Sequence, residues 1–152
     1  MNKSDLLALA EIYVDTYTKI NIGEQWNIDT AKKLISYWLE KQPDLAFVAE
    51  YDKKIVGAFV AGIKPWWDGN HLADGEIFIH PDFQKHGIGS ELLKTMFKTA
   101  LEKYNAVSYD AITYNNYEFP LNWYKSLSII PEKNLVVITG NIKSILSKLK
   151  NN

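Results

Sequence analysis

The chain has 152 residues, is 47% hydrophobic, sets 17 basic against 18 acidic side chains for a net charge of -1, and lacks cysteine. This length predicts one domain over residues 1–152, long enough to bury roughly 68–70% of the surface its unfolded form exposes. The missing cysteine excludes disulfide scaffolds, thiolate metal sites and cysteine nucleophiles, and the even charge argues against a broad nucleic-acid footprint.

In chain order, residues 4–19 read as a helix: Leu6, Leu9, Ala10, Tyr13, Val14 and Tyr17 make one apolar stripe, with Ser4 as its cap. After the looser "INIGEQWNID", Asp29 would cap a second helix that buries Leu34, Ile35, Trp38 and Leu39 and ends before Pro43. Residues 45–51 and 55–63 are strands of a hairpin turned by "DKK". "KPWWDGNHLADG" reads as a loop and "EIFIHP" as a third strand. The clearest helix is "IGSELLKTMFKTALEKY", whose Ile88, Leu92, Leu93, Met96, Phe97, Ala100, Leu101 and Tyr104 share a face. A strand over 106–114, a short helix with Pro120 in its first turn, a last strand in "NLVVITG" and a short helix in "IKSILSKLK" complete the order. The middle strand–helix–strand implies a parallel pair within an otherwise antiparallel, mixed sheet. No apolar run reaches the roughly 20 residues of a membrane helix, and the first residues mix acidic with apolar side chains, so a cytoplasmic protein without membrane partners is expected.

Chemistry concentrates in "IFIHPDFQKHGIGSELL". A strand ends, a short loop follows, and Gly87 and Gly89 bracket the start of the long helix. Unpartnered main-chain N–H groups and the helix dipole make such a start an anion cradle, to which Lys85 and His86 add donors. A P-loop is excluded, because no "GxxxxGK[ST]" is present; the dinucleotide fingerprint fails because Leu92 stands where its third glycine belongs. His71, His80 and His86 lack the spacing of a helix-borne metal pair, and no metal is expected.

Gln84-Lys85-His86-Gly87-Ile88-Gly89 resembles the Q/R-x-x-G-x-G/A motif of the GNAT superfamily of N-acetyltransferases, and "FIHPDFQ" resembles the approach to it. "NWYKSLSIIPE" resembles that family's second signature, although Ser128-Ile129 replaces its Gly-Phe and Tyr117 its usual asparagine. The resemblance implies an α/β fold in which acetyl-coenzyme A lies between two splayed parallel strands. Its pantetheine arm would run along Ile77, Phe78 and Ile79, its pyrophosphate would rest on Gln84, Lys85, His86, Gly87, Ile88, Gly89 and Ser90, and Asn116 would add a contact. It also implies direct attack of a primary amine of a small molecule or peptide on the thioester. Glu76 is the candidate base, with Asp74 and Asp110 as alternatives, and Tyr124 the candidate acid for the departing thiolate. Read by themselves, Glu76 is also a solvated strand-edge carboxylate and Tyr124 a core aromatic. The Trp66, Trp67 and Asp68 cluster would hold a cationic acceptor or form a partner or packing surface, and Trp26 and Asp74 would contact the acceptor. A longer acyl donor, a non-catalytic acyl-coenzyme A-binding module and a homodimer stay open.

Overall fold

Strands β1 (Ala46–Tyr51), β2 (Lys54–Trp66), β3 (Gly69–Ile79) and β4 (Ala106–Asp110) form one sheet in that order, in a computed structural model that describes residues 1–20, 23–115 and 117–149. The first three strands are antiparallel, and β4 joins the edge of β3 in parallel, after the crossover helix α3 (Ile88–Tyr104). This is the mixed sheet the sequence predicts. Helices α1 (Leu6–Ile20) and α2 (Ile28–Lys41) precede it. Leu9, Tyr13, Ile35 and Trp38 of those helices pack with Ala58, Val60 and Phe78 of the sheet in one buried cluster. Each Leu, Ile, Val or Phe among them contributes roughly 1.5–3 kcal/mol when fully withdrawn from water.

Several boundaries differ from expectation. Asn27, not Asp29, caps α2: its side chain accepts from the Thr30 amide at 2.9 Å. Ser4 does not cap α1 but lies in a single 3-10 turn, Lys3–Asp5, whose Asp5 carboxylate accepts from the Asn2 amide at 2.7 Å. The expected loop over 64–75 is largely strand. β2 runs to Trp66 and β3 starts at Gly69, so only Trp67 and Asp68 make the turn. Cross-strand pairing overrides the Pro, Asp and Asn content there, and Pro65 is accommodated opposite Asn70.

Backbone packing divides the chain into two compact units, Met1–Ile112 and Thr113–Asn152. The sheet with α1 to α3 belongs to the first. The second holds α4 (Glu118–Ser126) and α5 (Ile142–Leu149). The expected strand over 106–114 stops at Asp110, and none forms over 134–140, where Leu135, Val136, Val137 and Ile138 are exposed. A strand needs a ladder partner, and the second unit offers no other strand among its described residues. Ser128, which stands where the family signature has glycine, is left-handed here. It takes φ 63°, its amide donates to the Lys125 carbonyl, and the Ile129 amide donates to the Tyr124 carbonyl, which closes α4 as a Schellman motif. No helix among the described residues is long and apolar enough to cross a membrane.

The feature that shapes the site is a bulge. Val60 pairs with Glu76 and Gly62 with Ala73, so Asp74 and Gly75 together stand opposite Ala61. Asp74 is left-handed at φ 57°. A Cβ on Gly75 would lie 2.1 Å from the Val60 carbonyl oxygen and 2.6 Å from the Ala61 Cβ, so only glycine fits. Gly75→Ala should therefore destabilise the fold by about 1–3 kcal/mol or more, through overpacking against backbone. Equilibrium denaturant unfolding checks this, and an unchanged midpoint would contradict the assigned close approach.

Candidate active site

The edge of β3 is paired along only part of its length. Ladder contacts with β4 run from Asn70↔Ala106 to Ala73↔Asp110 and end there, so beyond the bulge β3 is paired only to β2. The His80 amide donates to the Val56 carbonyl at 2.8 Å, which sets the hydrogen-bond phase of the ladder. By antiparallel alternation Glu76 and Phe78 turn their main-chain groups towards β2, whereas Ile77 and Ile79 turn theirs towards the side from which β4 has departed. The Ile79 carbonyl accepts from Gln84 Nε2 at 2.9 Å and from Thr16 Oγ1 at 3.3 Å, tying both α1 and the next loop to the end of this edge.

That loop leads into α3. Lys85 (φ 65°) and Gly87 (φ 81°) are both left-handed, and they bracket His86. The first bond of α3 is the Glu91 amide to the Gly87 carbonyl at 3.1 Å. The amides of Ile88, Gly89 and Ser90 thus precede any intrahelical partner, at the positive end of the dipole. A Cβ on Gly87 would meet no atom within 4 Å, so the residue serves a backbone turn and the space beside it is open. Gln84 through Ser90 together can receive an anion.

Glu76 projects from the open part of β3 towards α1. Its Oε2 accepts from Tyr13 Oη and Tyr17 Oη, each at 3.2 Å. Tyr13 also packs edge-on against Trp26 at 5.1 Å and Phe78 at 5.0 Å, and Trp26 Nε1 donates to Glu24 Oε2 at 2.6 Å. Burial raises the Glu76 pKa above its ordinary 4.5; the two phenols oppose that rise, and the Glu24 charge adds to it. Burial, followed by the Glu76 charge, pushes both phenols above their usual range, so they remain donors. A half-buried carboxylate with a raised pKa, fed by two neutral donors, is suited to taking up a proton.

The sequence candidates fall into three places. Glu76 and Trp26 meet in one cluster through Tyr13 and Tyr17, two residues whose spacing one helical turn apart marked only a core face. Ile77, Phe78 and Ile79 lie on the strand beneath it, and Asp74 is exposed at the bulge. Trp66 and Trp67 sit at the hairpin tip; Gly69, which pairs with Trp66, is roughly 23 Å from Glu76 along β3 at the rise of an extended strand. Trp67 is 87% exposed, and Lys64 Nζ stands 4.6 Å from the Trp66 ring centre. Tyr124 belongs to the second unit, where it is buried in α4 with its ring 5.2 Å from that of Trp123. Asn116 lies outside the described residues. His71 is buried between Asp68 and Asp110, a pairing across three elements that sequence spacing does not reveal. No cluster of three or more metal-ligating side chains occurs among the described residues.

Comparison with known proteins bears on the chain and its fold. The model of the acetyltransferase (GNAT) family matches residues 6–125. An uncharacterized N-acetyltransferase of Archaeoglobus fulgidus is 28% identical over 111 residues, which cover 70% of this chain and 75% of that protein. The crystal structure of a possible acetyltransferase from Clostridium difficile superposes with a TM-score of 0.77 over 93% of this chain and 95% of that one, at 16% identity. A predicted acetyltransferase from Clostridium acetobutylicum, solved with acetyl-coenzyme A, gives a TM-score of 0.69 at 18% identity over 91% and 92%.

The raised pKa of Glu76 carries a stability consequence. A group whose folded pKa lies above its unfolded value stabilises the fold while protonated, and that contribution disappears as pH rises through the folded value. Glu76→Gln, which cannot ionise, should gain on the wild type as pH rises from about 4 towards neutrality, by on the order of a few degrees in Tm. Thermal unfolding across that range checks the sign, and a Gln variant that loses ground with rising pH would contradict it.

Proposed function

Because the chain belongs to the acetyltransferase (GNAT) family, it is an acetyl-coenzyme A-dependent N-acetyltransferase, and we propose that it transfers the acetyl group directly to a primary amine held beside Glu76. The observation that carries this reading is the position of Glu76: a half-buried carboxylate with a raised pKa, on the part of β3 that β4 leaves open. The family match crosses both compact units, which supports reading residues 1–152 as one GNAT-like domain.

In this reading the pantetheine arm adds to the open edge through the main-chain groups of Ile77 and Ile79, as an extra strand would. The pyrophosphate rests on the amides from Gln84 to Ser90. An amine reaches the site as an ammonium ion and must lose a proton before it can attack. Glu76 takes that proton, directly or through a water molecule. The amine nitrogen then bonds to the thioester carbon, the C–S bond breaks, and the leaving thiolate takes a proton from Tyr124, while the acylated nitrogen sheds its second proton through water, which restores the phenol. A phenol with pKa about 10 donates to a thiolate of pKa about 8.5 only when it is held close to it. The charges of Glu24 and Glu76 beside the Trp26, Tyr13 and Tyr17 rings favour a cationic acceptor over a neutral or acidic one.

A panel of primary amines supplied with acetyl-coenzyme A and followed by thiol release tests the reading. Cationic amines should be acetylated, and Glu76→Gln should lower kcat/KM by about 100-fold or more. Thiol release by wild type and Glu76→Gln at equal rates would remove Glu76 as the base. Removing a donor with Tyr17→Phe should raise the Glu76 pKa further and move the acid limb of the kcat/KM profile to higher pH; a limb that stays in place would detach Tyr17 from the proton transfer. Tyr124→Phe should lower kcat while leaving acetyl-coenzyme A affinity nearly unchanged, and a variant with wild-type turnover would exclude it as the acid.

A further inference from the structure

Away from Glu76, one buried titratable side chain has both of its polar atoms committed to charge. His71 is 6% exposed. Its Nδ1 lies 2.7 Å from Asp110 Oδ2 and its Nε2 lies 2.9 Å from Asp68 Oδ1. A neutral imidazole has one donor and one acceptor, and an acceptor facing a carboxylate would be repelled. Two carboxylates at hydrogen-bond distance therefore call for protons on both nitrogens. The location matters as much as the charge. Asp110 is the last residue of β4 and pairs with Ala73, the final rung before the bulge and the fork. Asp68 belongs to the β2–β3 turn, so one imidazolium joins that turn, β3 and the end of β4. β4 is a short edge strand with few ladder partners and would otherwise fray from this end.

We propose that His71 is a positioning residue whose imidazolium, clamped between Asp68 and Asp110, fixes the rung at which β3 and β4 part and so prepares the open edge for acetyl-coenzyme A. This rests on the reading of that edge given above. Preorganising a site improves affinity by removing the cost of ordering it on binding. The two carboxylates act on the ring in one direction. Asp110, the stronger influence, and Asp68 raise the His71 pKa, whereas burial lowers it, and the net shift is upward from 6.5. Lys64, the cross-strand partner on β2, turns its ammonium over the Trp66 ring. Lys41 of α2 lies beside Gly62 with its Nζ over the Trp38 ring, and the Ser108 hydroxyl donates to Asp110 at 3.4 Å.

The sign follows from linkage. A raised histidine pKa means that the clamp is intact below the ordinary value of 6.5 and is lost as pH rises through the higher, folded value. If the clamped state binds acetyl-coenzyme A more tightly, binding must raise the His71 pKa by the same factor. Two measurements on the full chain test this: NMR titration of the His71 ring with and without acetyl-coenzyme A, and calorimetric dissociation constants for wild type and His71→Gln from about pH 6 to about pH 9. The glutamine variant reports the cofactor's own titration. Expected are an upward shift of the His71 titration on binding and, at the acid end, binding about tenfold weaker in the variant, a gap that corresponds to one pKa unit and closes as pH rises. An identical His71 titration in both states would overturn the clamp while leaving the acetyl-coenzyme A edge standing, and so would equal affinities at every pH. Absence of binding by the wild type would overturn both. The ring titration needs no variant, so it decides the matter even if His71→Gln fails to fold.

Discussion

Two residues of β3 face one residue of β2 at Asp74 and Gly75, and the working parts of the molecule are arranged around that mismatch. An ordinary ladder would satisfy both edges of β3 and leave nothing to bind. Here the strand is extended on one side by β2 for its full length, whereas β4 pairs only as far as Ala73. A bulge bends and twists its strand, and this one falls immediately after the last shared rung. The exposed main-chain groups that would be a liability on a long edge are confined to the short stretch past the fork. Both ends of that stretch are fixed: one by the bulge and the His71 clamp, the other by Gln84 and Thr16 on the Ile79 carbonyl.

The chemistry and the stability of this arrangement pull against each other at Glu76. A carboxylate placed among Tyr13, Tyr17 and Phe78 loses solvation, and the two phenols return only part of it. Such an environment is unfavourable for an ion and useful for a proton acceptor, a combination found at functional sites. The rings also make the α1-facing side of β3 aromatic and acidic, in contrast to the glycine-turned loop that ends the same strand. One strand thus joins two electrostatic environments, the free amides of a helix start at its end and a carboxylate–aromatic cluster on its α1 face.

Much of this was legible in the residues themselves. The period of Ile88, Leu92, Met96 and Ala100 gives α3 with its observed bounds, and Gly87 announces the turn before it. The parallel β3–β4 pair follows from a strand on either side of that helix. What escaped the sequence depends on contacts between distant segments. Tyr13 and Tyr17 look like members of an apolar stripe until Glu76 arrives from β3. Gly75 looks like one more loop glycine, because the need to exclude a Cβ arises only from the backbone of β2. The stretch over 64–75 carries turn-forming residues yet is held extended by its hairpin partner. In the second unit, the β-branched run ending in Ile138 has strand propensity without a ladder, and propensity alone does not make a strand.

The most direct test of the open edge is residue-resolved amide hydrogen exchange with and without acetyl-coenzyme A. The amides of Ile77, Ile79, Ile88, Gly89 and Ser90 should gain protection on binding, while those of Glu76 and Phe78, already committed to β2, should change little. Protection confined to other segments, or none at all along β3 beyond Ala73, would contradict the account.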